Sequence, residues 1–227
     1  MAFVFSPFIQ QGMASMSMVG TTGLVCIPTA QVIPNGKMTL GMAYTDAKYS
    51  DYIPGYKQIA YFATFGYLPF LEIGLRLTQL PDFMAREAYG STKDRMVSAK
   101  LRVIKESHLI PSLVLGIHDL YGNGIFNAQY LAMSKSMDLP ILRLMSIHIG
   151  YSSNIIKYNK VKNYSMEGAF AGIEKVFCKY LTAMLEYDTQ KYNFGLKISP
   201  LGDKIYIDVA ILGLDRISGG MNFSFNL

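Results

Sequence analysis

Three histidines, two cysteines and a scatter of serines and carboxylates are the residues of this 227-residue chain that could do chemistry. His118 stands beside Asp119. On an extended chain neighbouring side chains point to opposite faces, so these two cannot form a dyad by direct contact. His118 and His148 could both face one side of a sheet, with Ser112 or Ser146 beside them. Nothing in the spacing fixes a nucleophile, a base and an orienting acid within hydrogen-bond reach. The third histidine is His108. Two histidines without a carboxylate at ligand spacing make a weak metal site. No glycine loop between a strand and a helix offers a phosphate cradle, and no nucleic-acid module is present. The chain therefore reads as non-catalytic, with no cofactor, no metal and no nucleic-acid partner. Its histidines belong in hydrogen-bond networks. Cys26 and Cys178 lie far apart and form no metal-type cluster. A disulfide in an oxidising compartment and two isolated small hydrophobes both remain open, and the second is the preferred reading.

The elements that must position these residues are strands. The chain is 51% hydrophobic, yet no run of eighteen residues is free of charges and breakers. The most apolar stretch, Leu109 to Leu120, holds Pro111, His118 and Asp119, which argues against a transmembrane helix. Charged residues make up 16%, against roughly 25% in soluble domains. Tyr (16) and Phe (13) are abundant and Trp is absent. So little charge suits a surface that faces lipid. The net charge of +5 reads as solvated loops, or as attraction to anionic headgroups or an acidic polymer.

Alternation with period two recurs along the chain. Met38, Leu40, Met42 and Tyr44 oppose Thr39, Gly41 and Ala43. Leu71, Ile73, Leu75 and Leu77 alternate with Glu72, Gly74, Arg76 and Thr78. The same rhythm marks Lys57 to Tyr67, Met96 to Val103, Ser112 to Asp119, Phe126 to Lys135 and Ile141 to Tyr151. It resumes in Glu167 to Lys175, Leu181 to Asp188, Tyr192 to Ile198, Lys204 to Leu212 and Gly220 to Leu227. Turn residues separate the strands, as at Pro34-Asn35-Gly36 and Pro200-Leu201-Gly202-Asp203. The pattern predicts an all-β fold, an antiparallel transmembrane β-barrel of about twelve strands, within the range of bacterial barrels.

The barrel is expected to occupy residues 37–227. Residues 1–18 read as a signal-peptide remnant or a disordered lead outside the folded domain, although no Lys or Arg supplies a basic n-region. Residues 19–36 read as a lead-in, and Gly23 to Ile33 as a plug, an extra strand or a periplasmic segment. The polar face of the strands is rich in Gly, Ala, Ser, Thr and Asn, with few charges. That suits a narrow lumen better than a solvated exterior. Glu72, Arg76, Lys100, Arg102, Glu186, Lys197 and Asp208 should point inward, and their mixed signs suggest cross-strand pairs. The last strand places Met221, Phe223, Phe225 and Leu227, after Gly220, on one face. It is similar to the C-terminal signal read by the outer-membrane assembly machinery, although such signals usually end in Phe.

Several local motifs follow one another in a recognisable order. Gly23-Leu24-Val25-Cys26-Ile27-Pro28-Thr29-Ala30 precedes Pro34-Asn35-Gly36. Leu71-Glu72 with Arg76, Lys93-Asp94 with Lys100 and Arg102, and Glu106-Ser107 come next. Pro111 to Asp119 then leads to Gly122-Asn123-Gly124, Tyr130 and Ser134-Lys135. Gly168, Phe170, Gly172 and Glu174 precede Glu186-Tyr187-Asp188, Tyr192-Asn193 and Gly195. Over roughly Gly20 to Ile198 this order resembles the YjbH-type outer-membrane family, associated with exopolysaccharide or capsule production. Members of that family are longer and carry more than one barrel, so this chain resembles a single-barrel version. The resemblance implies a Gram-negative outer-membrane barrel that supports exopolysaccharide or capsule export or surface assembly. The basic, Tyr-rich loops Tyr44 to Lys57 and Ser152 to Tyr164 fit that role. A small pore, or a structural barrel subunit of a larger envelope complex, is the alternative. The implied partners are outer-membrane lipid and lipopolysaccharide, the barrel-assembly machinery, and polysaccharide-export or other envelope proteins.

Overall fold

The computed structural model describes residues 14–53, 55–82, 93–122, 124–139, 143–155 and 166–227. Twelve antiparallel strands close on themselves. They are β1 (Lys37–Thr45), β2 (Gln58–Leu68), β3 (Leu71–Gln79), β4 (Lys93–Ile104), β5 (Ser112–Tyr121) and β6 (Ala128–Leu139). The second half contains β7 (Arg143–Ser153), β8 (Gly168–Cys178), β9 (Leu181–Tyr187), β10 (Tyr192–Ile198), β11 (Ile205–Leu212) and β12 (Arg216–Asn226). Each strand pairs with its sequence neighbours, and β1 meets β12 from Lys37↔Asn226 to Tyr44↔Gly219. Closure leaves no unpaired sheet edge, which every antiparallel barrel requires in an apolar solvent.

The period-two pattern decides the faces. Outward positions are apolar and exposed: Leu75 at 51%, Leu115 at 49%, Ile149 at 46% and Phe223 at 43%. Their neighbours in sequence turn inward, such as Arg76, Val114, His148 and Asn222, and are buried. Every segment read from the sequence as a strand contains one, and Ile141 and Leu142, at the start of one such segment, lie outside the described residues. Two begin earlier than expected. β4 starts at Lys93 and β12 at Arg216. β4 opens on the charged run Lys93-Asp94-Arg95 and β12 passes through Ser218-Gly219, so neither beginning carries the apolar alternation.

One local reading is corrected. His118 and Asp119 are both buried inside the barrel. The β4–β5 register shifts between Val97↔Tyr121 and Ala99↔Ile117, which leaves extra residues on β5. Asp119 takes a positive φ of 56° there. This bulge turns the Asp119 carboxylate inward, where the Phe126 amide donates to it at 3.3 Å. A bulge breaks the strict alternation on which the sequence argument rested.

Residues 14–33 fill the lumen. Met16, Leu24, Val25, Ile27, Ala30 and Ile33 form one buried cluster with Phe62, Val114, Tyr130, Phe170 and Met184 of the wall. The segment folds into a compact knot through its own main chain. Ser17 N donates to Thr21 O at 2.8 Å, Met18 N to Val25 O at 2.8 Å and Leu24 N to Ile27 O at 3.0 Å. The expectation that residues 1–18 stay apart from the domain thus meets a different arrangement at its described end. Ser15 to Met18 are buried within the barrel, because Met16 and Met18 supply apolar volume that the polar wall lacks. Residues 1–13 lie outside the described set.

Wall glycines make room for this filling. A Cβ on Gly172 would lie 2.4 Å from Leu24 Cδ1, and one on Gly195 would lie 2.5 Å from Val25 Cγ2. Both neighbours are themselves buried, Leu24 at 1% and Val25 at 3% exposure. Gly172→Val is therefore expected to destabilise the folded barrel by about 1–3 kcal/mol through overpacking. The check is the temperature at which the compact, fast-migrating gel form converts to the unfolded one. It should fall relative to the parent chain.

Candidate functional site

The lumen site is built from wall residues that clamp the inner segment. Glu72 on β3 and Glu186 on β9 are each 1% exposed. Glu72 accepts the Thr22 amide at 2.9 Å, the Ile33 amide at 3.0 Å and the Thr22 hydroxyl at 2.8 Å. Glu186 accepts the amides of Val25 at 2.9 Å, Cys26 at 2.8 Å and Ile27 at 3.3 Å. Asn193 Nδ2 adds a fourth donor at 2.9 Å. Two carboxylates on different parts of the wall thereby satisfy five main-chain N–H groups of a segment that has no strand partner. Charge-assisted bonds of this kind are roughly twice as strong as neutral ones.

Lys100 serves the carbonyls of the same segment. Its ammonium donates to Thr22 O at 2.6 Å, Gln31 O at 3.1 Å and Thr29 O at 3.2 Å. It also contacts the Thr22 hydroxyl and lies 3.7 Å from Glu72 Oε1. Glu72 and Lys100 face each other directly across β3 and β4, so the expected cross-strand pair exists. Its two members spend most of their hydrogen-bonding capacity on the inner segment.

Ser134 is a fourth anchor. Its hydroxyl accepts the Ala30 amide at 2.7 Å and lies 2.7 Å from His148 Nδ1. His148 Nε2 is 3.7 Å from Glu174 Oε1. Serine, histidine and glutamate stand on the adjacent strands β6, β7 and β8. The order resembles a hydrolytic triad, but the serine oxygen is already bound to Ala30, so its geometry is that of an orienting network. Sequence reasoning placed His148 in the lumen and missed Ser134 and Glu174 as its partners. Ser134↔His148 pairing across β6 and β7 depends on register, which the two strand sequences do not specify.

The remaining predicted charges divide. Lys197 and Asp208 face each other across β10 and β11 at 3.7 Å, and Asn222 donates to Asp208 at 2.8 Å. Arg76 is buried with its guanidinium carbon 4.4 Å from the Phe126 ring centroid, a cation–π contact. Arg102 is not deep in the lumen. It sits near a strand end, where it donates to Pro69 O at 2.6 Å. The lead-in residues Gly23, Leu24, Ile27, Pro28, Thr29 and Ala30 are all buried inside the barrel. The final-strand residues Met221, Phe223, Phe225 and Leu227 face outward, and the strand pairs with β1. The loop Ser152 to Tyr164 lies mostly outside the described residues.

Cys26 Sγ and the carboxylates of Glu186 and Asp188 come within 4.8 Å of one another. Such donors could hold a cation, but their oxygens are occupied. Asp188 accepts the Gln190 and Lys191 amides at 3.1 and 3.0 Å, Asn193 Nδ2 at 2.8 Å and Lys191 Nζ at 2.9 Å. Cys178, exposed on the barrel wall, is a free thiol.

The family model described as "Exopolysaccharide biosynthesis protein YbjH" matches residues 15–196, a span that begins in the inner segment and includes every anchor named above. The chain belongs to the YjbH family. A curated relative, "Uncharacterized lipoprotein YjbH" of Escherichia coli (strain K12), is 32% identical over 127 residues. That match takes in 54% of this chain and 17% of the relative. Among solved structures, a KdgM porin is similar with a TM-score of 0.50 and 9% identity, over 83% of this chain and 99% of the porin. At that identity the likeness concerns the fold alone. A bacterial polysaccharide outer membrane secretin aligns with a TM-score of 0.31 and 9% identity, over 87% of this chain and 100% of the secretin. In this YjbH-family barrel, Gly23 to Ala30 is both the first motif of the family resemblance and the part of the inner segment held by Glu186, Lys100 and Ser134.

Removing one clamp leaves buried amides without acceptors, which costs on the order of 2–5 kcal/mol. Glu186→Ala is therefore expected to loosen residues 25–27 while the wall strands stay protected. Maleimide labelling checks this. Cys178 should react readily in both forms, and Cys26 should react much faster in Glu186→Ala than in the parent chain. Hydrogen exchange at Val25, Cys26 and Ile27 should rise in parallel.

Proposed function

We propose that this chain is a bacterial outer-membrane β-barrel that supports export or surface assembly of an exopolysaccharide or capsule, without chemistry of its own. The observation that carries the membrane placement is the outward face of the closed barrel, apolar on strand after strand. A barrel this apolar outside and polar inside is stable in lipid and exposed to aggregation in water. The polymer role follows from membership in a family described by exopolysaccharide biosynthesis. The lipids of that membrane are its solvent. The barrel-assembly machinery, reading Gly220 to Leu227, and polysaccharide-export or other envelope proteins are its proposed partners. The shared part covers under a fifth of the curated relative, consistent with a barrel that works as one module of a larger apparatus.

Filling of the lumen by residues 14–33 speaks against a freely conducting pore. The role this supports is a plugged barrel that positions or receives polymer. If the plug must shift for passage, Glu72, Lys100 and Glu186 are the residues that set its resting position.

Three measurements check the proposal. The protein should require detergent for extraction and migrate differently on gels before and after boiling. Full solubility in plain buffer would defeat the membrane placement. Deleting the gene should lower surface polysaccharide, and unchanged polymer would sink the export role. In planar bilayers the parent chain should be closed or nearly so, while Glu72→Ala combined with Glu186→Ala should give frequent openings. Steady large conductance from the parent chain would favour the small-pore alternative.

A further inference from the structure

A large groove lies on the outer wall across β2, β3, β4 and the end of β5, with a volume of about 870 Å³. It lies where the β4–β5 ladder ends. β4 pairs with β3 from Lys93 to Leu101, whereas its pairing with β5 stops at Val97↔Tyr121. Among the described residues, Lys93 to Met96 are in ladder with β3 only. Ala63 and Val97 provide a low floor, Leu75 and Leu77 an apolar lining, and Tyr61 and Tyr121 the upstanding rings. Tyr61 is 41% exposed and Tyr121 82%.

Lys93 and Arg95 stand at one end of this groove. Both point outward and are exposed, while Asp94 and Met96 between and beside them turn into the lumen. Neither cation enters an ion pair among the described residues. Two cations on an apolar outer face are costly unless they sit at the polar boundary of the membrane. That boundary is where lipid phosphates lie. An apolar trough that ends in paired positive charge is complementary to an acyl chain that ends in a phosphate. A saccharide would leave its hydroxyls unbonded against Leu75, Leu77 and Val97.

We propose that this groove is a binding site for an anionic acyl lipid, one whose phosphate charge is not balanced by a cation in its own headgroup. The acyl chain lies along Leu75, Leu77 and Val97 between the two tyrosines, and the phosphate is held by Lys93 and Arg95. The assignment rests on the membrane placement above, and goes beyond it by naming a site, a lipid class and the residues that select it.

The test uses the full chain purified in detergent, with native mass spectrometry as the readout of retained lipid. Phosphatidylglycerol and phosphatidylcholine of identical chains are added in equal amounts, and glycerol phosphate is tested as the headgroup alone. Phosphatidylglycerol should be retained with about thirtyfold preference, since each of the two interfacial cations contributes roughly fivefold. K93Q/R95Q should abolish the preference, and V97W should reduce retention of both lipids by filling the trough. Both variants should keep their heat-modifiable gel shift, which separates loss of the site from loss of the barrel. Equal retention of the two lipids by the parent chain, or unchanged preference in K93Q/R95Q, would overturn the assignment. So would full competition by glycerol phosphate. A parent chain that is soluble without detergent would instead overturn the membrane placement itself.

Discussion

The arrangement depends on main-chain amides that have no sheet to pair with. Residues 14–33 sit inside a closed barrel and form only isolated bridges, such as Gly23↔Pro28. An amide buried without an acceptor is costly. Glu72 and Glu186 remove that cost by accepting five of these groups between them, and Lys100 answers the carbonyls. The charges in turn are stable in a buried site only because so many dipoles converge on them. Wall and inner segment are thus mutually dependent. Either alone would leave a charge or a peptide group stranded.

This dependence explains the composition of the lumen. A carboxylate that reaches main-chain amides must let the backbone come close, so the surrounding wall is thinned by Gly172, Gly195 and small hydroxyl residues. Larger side chains fill the gaps that remain, with Phe62, Tyr130 and Phe170 against the apolar residues of the inner segment. The result is a packed interior rather than an aqueous channel, in keeping with a twelve-stranded barrel whose walls carry sizeable side chains. The Ser134–His148–Glu174 line belongs to the same logic. It brings together residue types that catalyse elsewhere, yet directs the serine oxygen at Ala30.

The outside obeys a different constraint. In the proposed lipid setting only closure and an apolar surface are tolerated, and the closed sheet with its mostly apolar exposed positions fits both. The departure at Lys93 and Arg95 coincides with the place where β4 loses its β5 partner.

Much of this architecture was legible in the residues alone. Alternation such as Leu71-Glu72-Ile73-Gly74-Leu75-Arg76 specifies strand and faces together, because the side-chain period of a strand is two. The number of strands followed from it. The inward direction of Glu72, Lys100, Glu186, Lys197 and Asp208 followed from the small, sparsely charged residues of the polar face and from the aromatic last strand. The family resemblance was carried by the order of short motifs, beginning with Gly23 to Ala30. What the sequence left open was everything set by long-range geometry. Whether Gly23 to Ile33 formed a plug or a strand depended on acceptors 39 to 161 residues away. The partnership of Ser134 with His148 depended on register, and the inward turn of Asp119 on a bulge. Local pattern determines which way a strand residue points, but only the closed barrel decides what it meets there.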